Sequence, residues 1–133
     1  MRILITGDRG FVGSATTKLL EKEGHDVFGY DLMDGWDIKS YQQLFNMCLD
    51  TRPDRVLHLA AVSRFADADK NPKLAFETNV QGTKNVVDVC KALHIPLVYA
   101  STGSAYMPIK QQPPITEEYP IMGNSVYGCS KVI

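Results

Sequence analysis

A parallel α/β sheet wound on both faces is the architecture this sequence predicts, on three observations. Short apolar runs alternate with stretches of helical periodicity. A glycine-rich turn, Gly7-Asp8-Arg9-Gly10-Phe11-Val12-Gly13, joins the first run to the first helical stretch. The residues best suited to chemistry fall just after the runs, at the carboxyl ends where such sheets bind ligands.

Arg2–Thr6 is apolar enough for a buried strand. Val12, Ala15, Thr16, Leu19 and Leu20 then recur at helical spacing, and Gly24 stops the helix. Residues 25–30 form the second strand, ending at Asp31, and residues 34–37 read as a turn. Ser40 caps a helix with the stripe Tyr41, Leu44, Phe45 and Cys48, closed by Pro53. A third strand spans 55–59 and runs into Ala60-Ala61. Pro72 opens a long helix with apolar positions Val80, Val86, Val87, Cys90 and Leu93. The last clear strand is 96–100. Residues 106–125, with Pro108, Pro113, Pro114 and Pro120, read as a long loop of the kind that often serves function. Successive right-handed crossovers place Gly7, Asp31, Ala60 and Ser101 at strand ends.

The 133 residues fit one domain with a real core, and the formal net charge of −1 without a basic stripe argues against nucleic-acid or membrane-surface partners. No apolar run reaches bilayer length and no leader pattern follows Arg2, so a cytoplasmic protein is expected. Cys48, Cys90 and Cys129 are widely spaced, which favours reduced thiols over a disulfide framework or a metal site.

The glycine turn lets backbone approach a pyrophosphate, and the N-terminal N–H groups of the helix behind it would hold the phosphates. Asp31 lies 18 positions after Gly13, near the spacing of about 20 expected of an acid on the adenosine ribose. Its carboxylate would accept from the 2′- and 3′-hydroxyls and repel a 2′-phosphate, favouring NAD; otherwise it is a turn aspartate. Arg9 pulls toward NADP if its guanidinium meets a 2′-phosphate, and is otherwise a solvated loop arginine. Asp37 would accept from the adenine amino group with Ile38 packed on the ring, or simply stand near the next helix start.

Tyr127 and Lys131 are four apart, on one helical face, where an ammonium favours the phenolate. Such a tyrosine can take a proton from a sugar hydroxyl as hydride leaves the same carbon. Thr102, just after the last strand, would orient that hydroxyl; turn chemistry is the alternative for Ser101 and Thr102. His58, inside a strand, is expected to be a packing residue.

The glycine turn, Asp31, His58-Leu59-Ala60-Ala61, Asn79-Val80-Gln81-Gly82-Thr83, Ala100-Ser101-Thr102 and the Tyr127-x-x-x-Lys131 pair resemble the extended short-chain dehydrogenase/reductases. More narrowly, the chain is similar to the NAD-dependent epimerase/dehydratase family of nucleotide-sugar enzymes. That resemblance implies a Rossmann-like sheet with NAD as cofactor, NADP not being excluded. It implies Thr102, Tyr127 and Lys131 as a catalytic triad. It places Leu59, Ala60, Ala61 and Ser63 along the dinucleotide and gives Asn79 a supporting role there. Gly103 and Ser104 stand where the family's dehydratases carry an acidic pair, which points to a nucleotide-sugar 4-epimerase or a reductase. By the same resemblance residues 1–133 are an NAD(P)-binding domain without the substrate-binding region. Two expectations follow: fraying of the short Tyr127–Lys131 helix, and pairing of an open sheet edge, as in a homodimer. A non-catalytic dinucleotide-binding module or an inactive truncated fragment is the alternative expectation.

Overall fold

The computed structural model describes residues 1–106 and 114–132. Of the predicted loop, Pro108 and Pro113 lie outside the described residues. The chain falls into two compact units: Met1–Ala61 with Gln81–Ala100, and Val62–Val80 with Ser101–Ile133.

The first unit holds the sheet. Strands β1 (Arg2–Thr6), β2 (Asp26–Tyr30), β3 (Arg55–His58) and β4 (Leu97–Tyr99) are all parallel, in the order β2-β1-β3-β4. The order reverses at β1, whose neighbours β2 and β3 both follow it in the chain. Sheets of this kind hold their ligands beyond the carboxyl ends of the strands at such a reversal, here β1 and β3.

Alternation along β1 buries both faces of the sheet. Leu4 pairs with Phe28 and Val56 and faces a cluster formed by Tyr30, Ile38, Leu44, Cys48, Val86, Val89 and Cys90. Ile3 and Ile5, also buried, point the other way. Helix α1 (Phe11–Lys22) packs on β1 and β2, and α2 (Tyr41–Thr51) packs on β1 and on α5 (Thr83–Ala92). Ser40 caps α2 as expected, accepting from the Gln43 N–H.

Two apolar stripes differ from expectation. Of the predicted stripe of α1, Val12, Ala15 and Leu19 are exposed, while Thr16 and Leu20 are half-buried beside Thr17 and the buried Gly13. The glycine allows the helix axis to come close, and that approach sets the inward seam. On α5, Val87 is exposed and Val89 buried. The cause lies just upstream: the long helix predicted after Pro72 is a short helix, α4 (Pro72–Phe76), then a π-helical turn (Glu77–Gly82), then α5. The wider turn shifts the helical phase, so an unbroken 3.6-residue count goes astray.

The second unit holds α3 (Phe65–Lys70), α4 and α6 (Val126–Val132). The alternation pattern does not foresee α3. The described flanks of the predicted loop are tied down: Tyr106 bridges Ile121 antiparallel, its ring meets Tyr119 edge-on, and Met122 N–H donates to the Ala105 carbonyl at 2.8 Å.

Candidate functional site

The glycine-rich turn leaves β1 on a continuing ladder bond, Gly7 N–H to the Tyr30 carbonyl at 2.9 Å. Gly7 sits at φ +77°, and a Cβ there would lie 2.7 Å from the Ala60 nitrogen. Only glycine combines that dihedral with that approach. Gly10 N–H donates to the Gly7 carbonyl at 3.0 Å, closing the turn, and Gly10 then serves as N-cap of α1 without a capping side chain. A Cβ on Gly13 would collide with the Gly7 carbonyl oxygen. The first N–H groups of α1, at Phe11, Val12 and Gly13, thus have no intrahelical acceptor and stand beyond β1. The exposed Phe11 and Val12 side chains flank them.

Asp31 ends β2. Its Oδ1 accepts from the Met33 N–H at 2.9 Å, capping a 3-10 turn (Leu32–Asp34), and its Oδ2 accepts from the Arg9 N–H at 3.2 Å. Turn and ribose-binding roles are compatible, because each carboxylate oxygen keeps a second lone pair. Arg9 is exposed, as a loop arginine would be, but its head group has a partner. Its Nε and Nη2 grip the two carboxylate oxygens of Asp34 at 2.8 and 2.9 Å.

Asp8 is a residue the sequence pattern does not single out. Its carboxylate lies against Gly29, where a Cβ would overlap it. Its Oδ1 is buried without a hydrogen-bond partner among the described residues. Burial, with the nearby Asp31 charge second, raises its pKa above the ordinary aspartate value.

Ile38 does not lie open for a ring to pack on. It is only 4 % exposed, sits in the core cluster, and its side chain covers Gly82. Asn85 fixes this segment by donating to the Ile38 and Lys39 carbonyls at 3.0 and 2.9 Å. Asp37 accepts from the Lys39 N–H at 2.9 Å and pairs with the Lys39 ammonium at 3.6 Å, near the start of α2.

His58 is a packing residue, as expected. Fully buried, it joins Thr6 Oγ1 at 2.6 Å and Thr83 Oγ1 at 2.9 Å. Thr6 also holds the segment after β3, its carbonyl accepting from Leu59 N–H and its Oγ1 from Ala60 N–H. Leu59, Ala60 and Ala61 are half-buried there.

The second unit gathers the other candidates. Thr102 Oγ1 accepts from Ser104 N–H, capping a 3-10 turn (Gly103–Ala105) that packs on α6, the helix of Tyr127 and Lys131. Ser101 beside it is exposed. Helix α6 is docked, in contrast to the fraying its length predicts. Ser125 caps it through Gly128 N–H, and Gly128 comes so close to the Ser104 carbonyl that a Cβ would not fit. The Tyr127 ring meets Phe65 edge-on at 5.4 Å.

Asn79 lies in the π-helical turn and is 1 % exposed. Its Oδ1 accepts from Val62 N–H, and its Nδ2 donates to the Val62 carbonyl and to Ser130 Oγ. The exposed Ser63 follows the clamped Val62. Lys131 is buried, and that burial pushes its pKa down to about 8. Among the described residues no group of three or more His, Cys, Asp or Glu could hold a metal ion, and the three thiols are free.

The model of the NAD dependent epimerase/dehydratase family matches residues 3–133. The chain belongs to this family. Among curated family relatives, the dTDP-4-dehydrorhamnose reductase of Streptomyces griseus is 30% identical over 135 residues, covering 98% of this chain and 42% of the relative. The UDP-glucose 4-epimerase of Thermus thermophilus, solved in complex with NAD, superposes with a TM-score of 0.88. It is 29% identical, over 99% of this chain and 48% of that one. The dTDP-4-dehydrorhamnose reductase of Bacillus anthracis, in complex with NADP, gives a TM-score of 0.85 and 28% identity. It covers 98% of this chain and 46% of that one. The chain thus spans less than half the length of these family relatives. No helix among the described residues is long and apolar enough to cross a membrane.

Proposed function

We propose that this chain is the NAD-binding part of a nucleotide-sugar 4-epimerase or reductase. The observation that carries the reading is the uncapped N-terminus of α1 beyond β1, closed by Gly7, Gly10 and Gly13, with Asp31 at the neighbouring strand end. These residues fit a dinucleotide. The turn offers backbone N–H groups to a pyrophosphate without side-chain obstruction, and Asp31 offers a carboxylate to a ribose diol. By family resemblance Leu59, Ala60, Ala61, Ser63, Asn79 and Ser101 are further residues expected to serve the cofactor. The solved relatives with NAD or NADP support the cofactor class.

A bound nicotinamide would supply the hydride acceptor and donor. The rest falls to this chain's own side chains. Tyr127 takes a proton from a sugar hydroxyl and returns it. Lys131 supplies the positive charge that favours the phenolate, on the same face of α6. Thr102 orients the reacting hydroxyl. Gly103 and Ser104, in place of an acidic pair, support epimerase or reductase chemistry over dehydration.

Calorimetric titration of the chain with NAD tests the reading. Saturable binding that Asp31→Ala abolishes supports it. A folded chain that binds neither NAD nor NADP overturns it.

A further inference from the structure

Arg9 and Asp31 pull the cofactor choice in opposite directions when only the sequence is considered. The folded turn resolves the conflict through a third residue. The Arg9 backbone N–H donates to Asp31 Oδ2 at 3.2 Å, which puts Arg9 beside the carboxylate assigned to the adenosine ribose. Its guanidinium, though exposed, already has an anionic partner. Nε and Nη2 grip Asp34 Oδ2 and Oδ1 in a two-pronged contact at 2.8 and 2.9 Å. Asp34 is itself held in place, its N–H donating to the Asp31 carbonyl at 3.0 Å within the 3-10 turn. Asp8 stands 4.0 Å from the same guanidinium.

One cation therefore faces three carboxylates, those of Asp8, Asp31 and Asp34. A 2′-phosphate arriving here would meet net negative charge. It would also have to take Arg9 from a partner whose geometry already satisfies the same fork. A 2′-hydroxyl has neither difficulty.

We propose that Asp34 is a specificity-determining residue: by occupying Arg9 it makes the site select dinucleotides with a free adenosine 2′-hydroxyl over their 2′-phosphorylated counterparts. The inference rests on the dinucleotide reading above. It adds that Arg9 is a phosphate ligand in waiting, kept out of use by Asp34.

Calorimetry of the full chain with NAD and with NADP, for wild type, Asp34→Ala and Asp34→Asn, tests it. Circular dichroism first establishes that each variant is folded; Asn keeps the size of the side chain without its charge, whereas Ala removes the contact with Arg9. The wild type should prefer NAD. Either substitution should lower the ratio of NADP to NAD dissociation constants about tenfold, as expected when one charge near a dianion is removed at high effective dielectric. Adding Arg9→Ala to Asp34→Ala should raise the ratio again, which simple loss of negative charge would not do. An unchanged ratio in both folded Asp34 variants, with NAD still bound, overturns the role of Asp34 and leaves the dinucleotide reading intact. A wild type that prefers NADP does the same. A folded wild type that binds neither cofactor overturns the dinucleotide reading itself, and this inference with it.

Discussion

Asn79 Nδ2 donates to Ser130 Oγ at 2.8 Å, wholly inside the protein, and Ser130 Oγ in turn donates to the Tyr127 carbonyl at 2.8 Å. A residue in a π-helical turn thereby holds the helix that carries both Tyr127 and Lys131. The same side chain closes on both backbone groups of Val62, so its amide is fully engaged.

Asn79→Ala should therefore cost more than one hydrogen bond. It strands the half-buried Val62 N–H and carbonyl, at about 1–2 kcal/mol. Urea unfolding reads the loss, and amide exchange in α6 should quicken more than amide exchange in β1. Equal quickening in both would show that Asn79 does not specifically secure α6.

Lys131 sets a pH dependence. Burial lowers its pKa to about 8, from an ordinary value of 10.5. Below pH 8 the lysine is charged in both folded and unfolded chains, and the full desolvation cost weighs on the fold. Between pH 8 and 10.5 the unfolded chain holds the proton more tightly, so stability rises with pH. Above 10.5 the cost is gone. Lys131→Met removes this dependence. The variant should be more stable than wild type at pH 7 by up to about 3 kcal/mol, and the gap should close by about pH 10.5. Denaturant midpoints across that range check it; a gap that does not change with pH would refute the desolvation account.

Gly13 and Gly103 make a contrasting pair. A methyl group on Gly13 would run into the Gly7 carbonyl oxygen, whereas one on Gly103 meets nothing within 4 Å. Gly13→Ala should cost about 3 kcal/mol and weaken NAD binding by distorting the turn. Gly103→Ala should stay within about 0.5 kcal/mol of wild type. Thermal unfolding of the two variants side by side decides the point.

The parts of the fold legible in the sequence are those written by local chemistry. Apolar runs mark the strands, Ser40 and Pro72 mark helix starts, and the glycine turn announces a close backbone approach. Candidate residues at strand ends follow from the same punctuation. What escapes is decided by tertiary contact. The π-helical turn has no periodic signature of its own, so Val87 reads as core. Ile38 looks free for a ligand until the cluster around Tyr30 and Leu44 closes over it. Asp8 and Asp34 attract no notice as loop acids, because their significance lies in tertiary neighbours: Asp8 stands near Asp31, and Asp34 holds Arg9 across 25 positions of chain.

The strand order also has a consequence for how the chain is made. Of the four strands β1 leaves the ribosome first yet occupies an inner position, and its Thr6–His58 contact joins residues 52 apart. During synthesis it can pair with β2 early. Its other edge must wait, unsatisfied, until all of α2 and then Arg55–His58 have emerged. Parallel pairing at such separation is slow, and a half-paired apolar strand is open to wrong partners meanwhile. The hazard in producing this protein thus lies in β1, and slowing translation after β2 would lengthen the time that Leu4 and Ile5 spend uncovered.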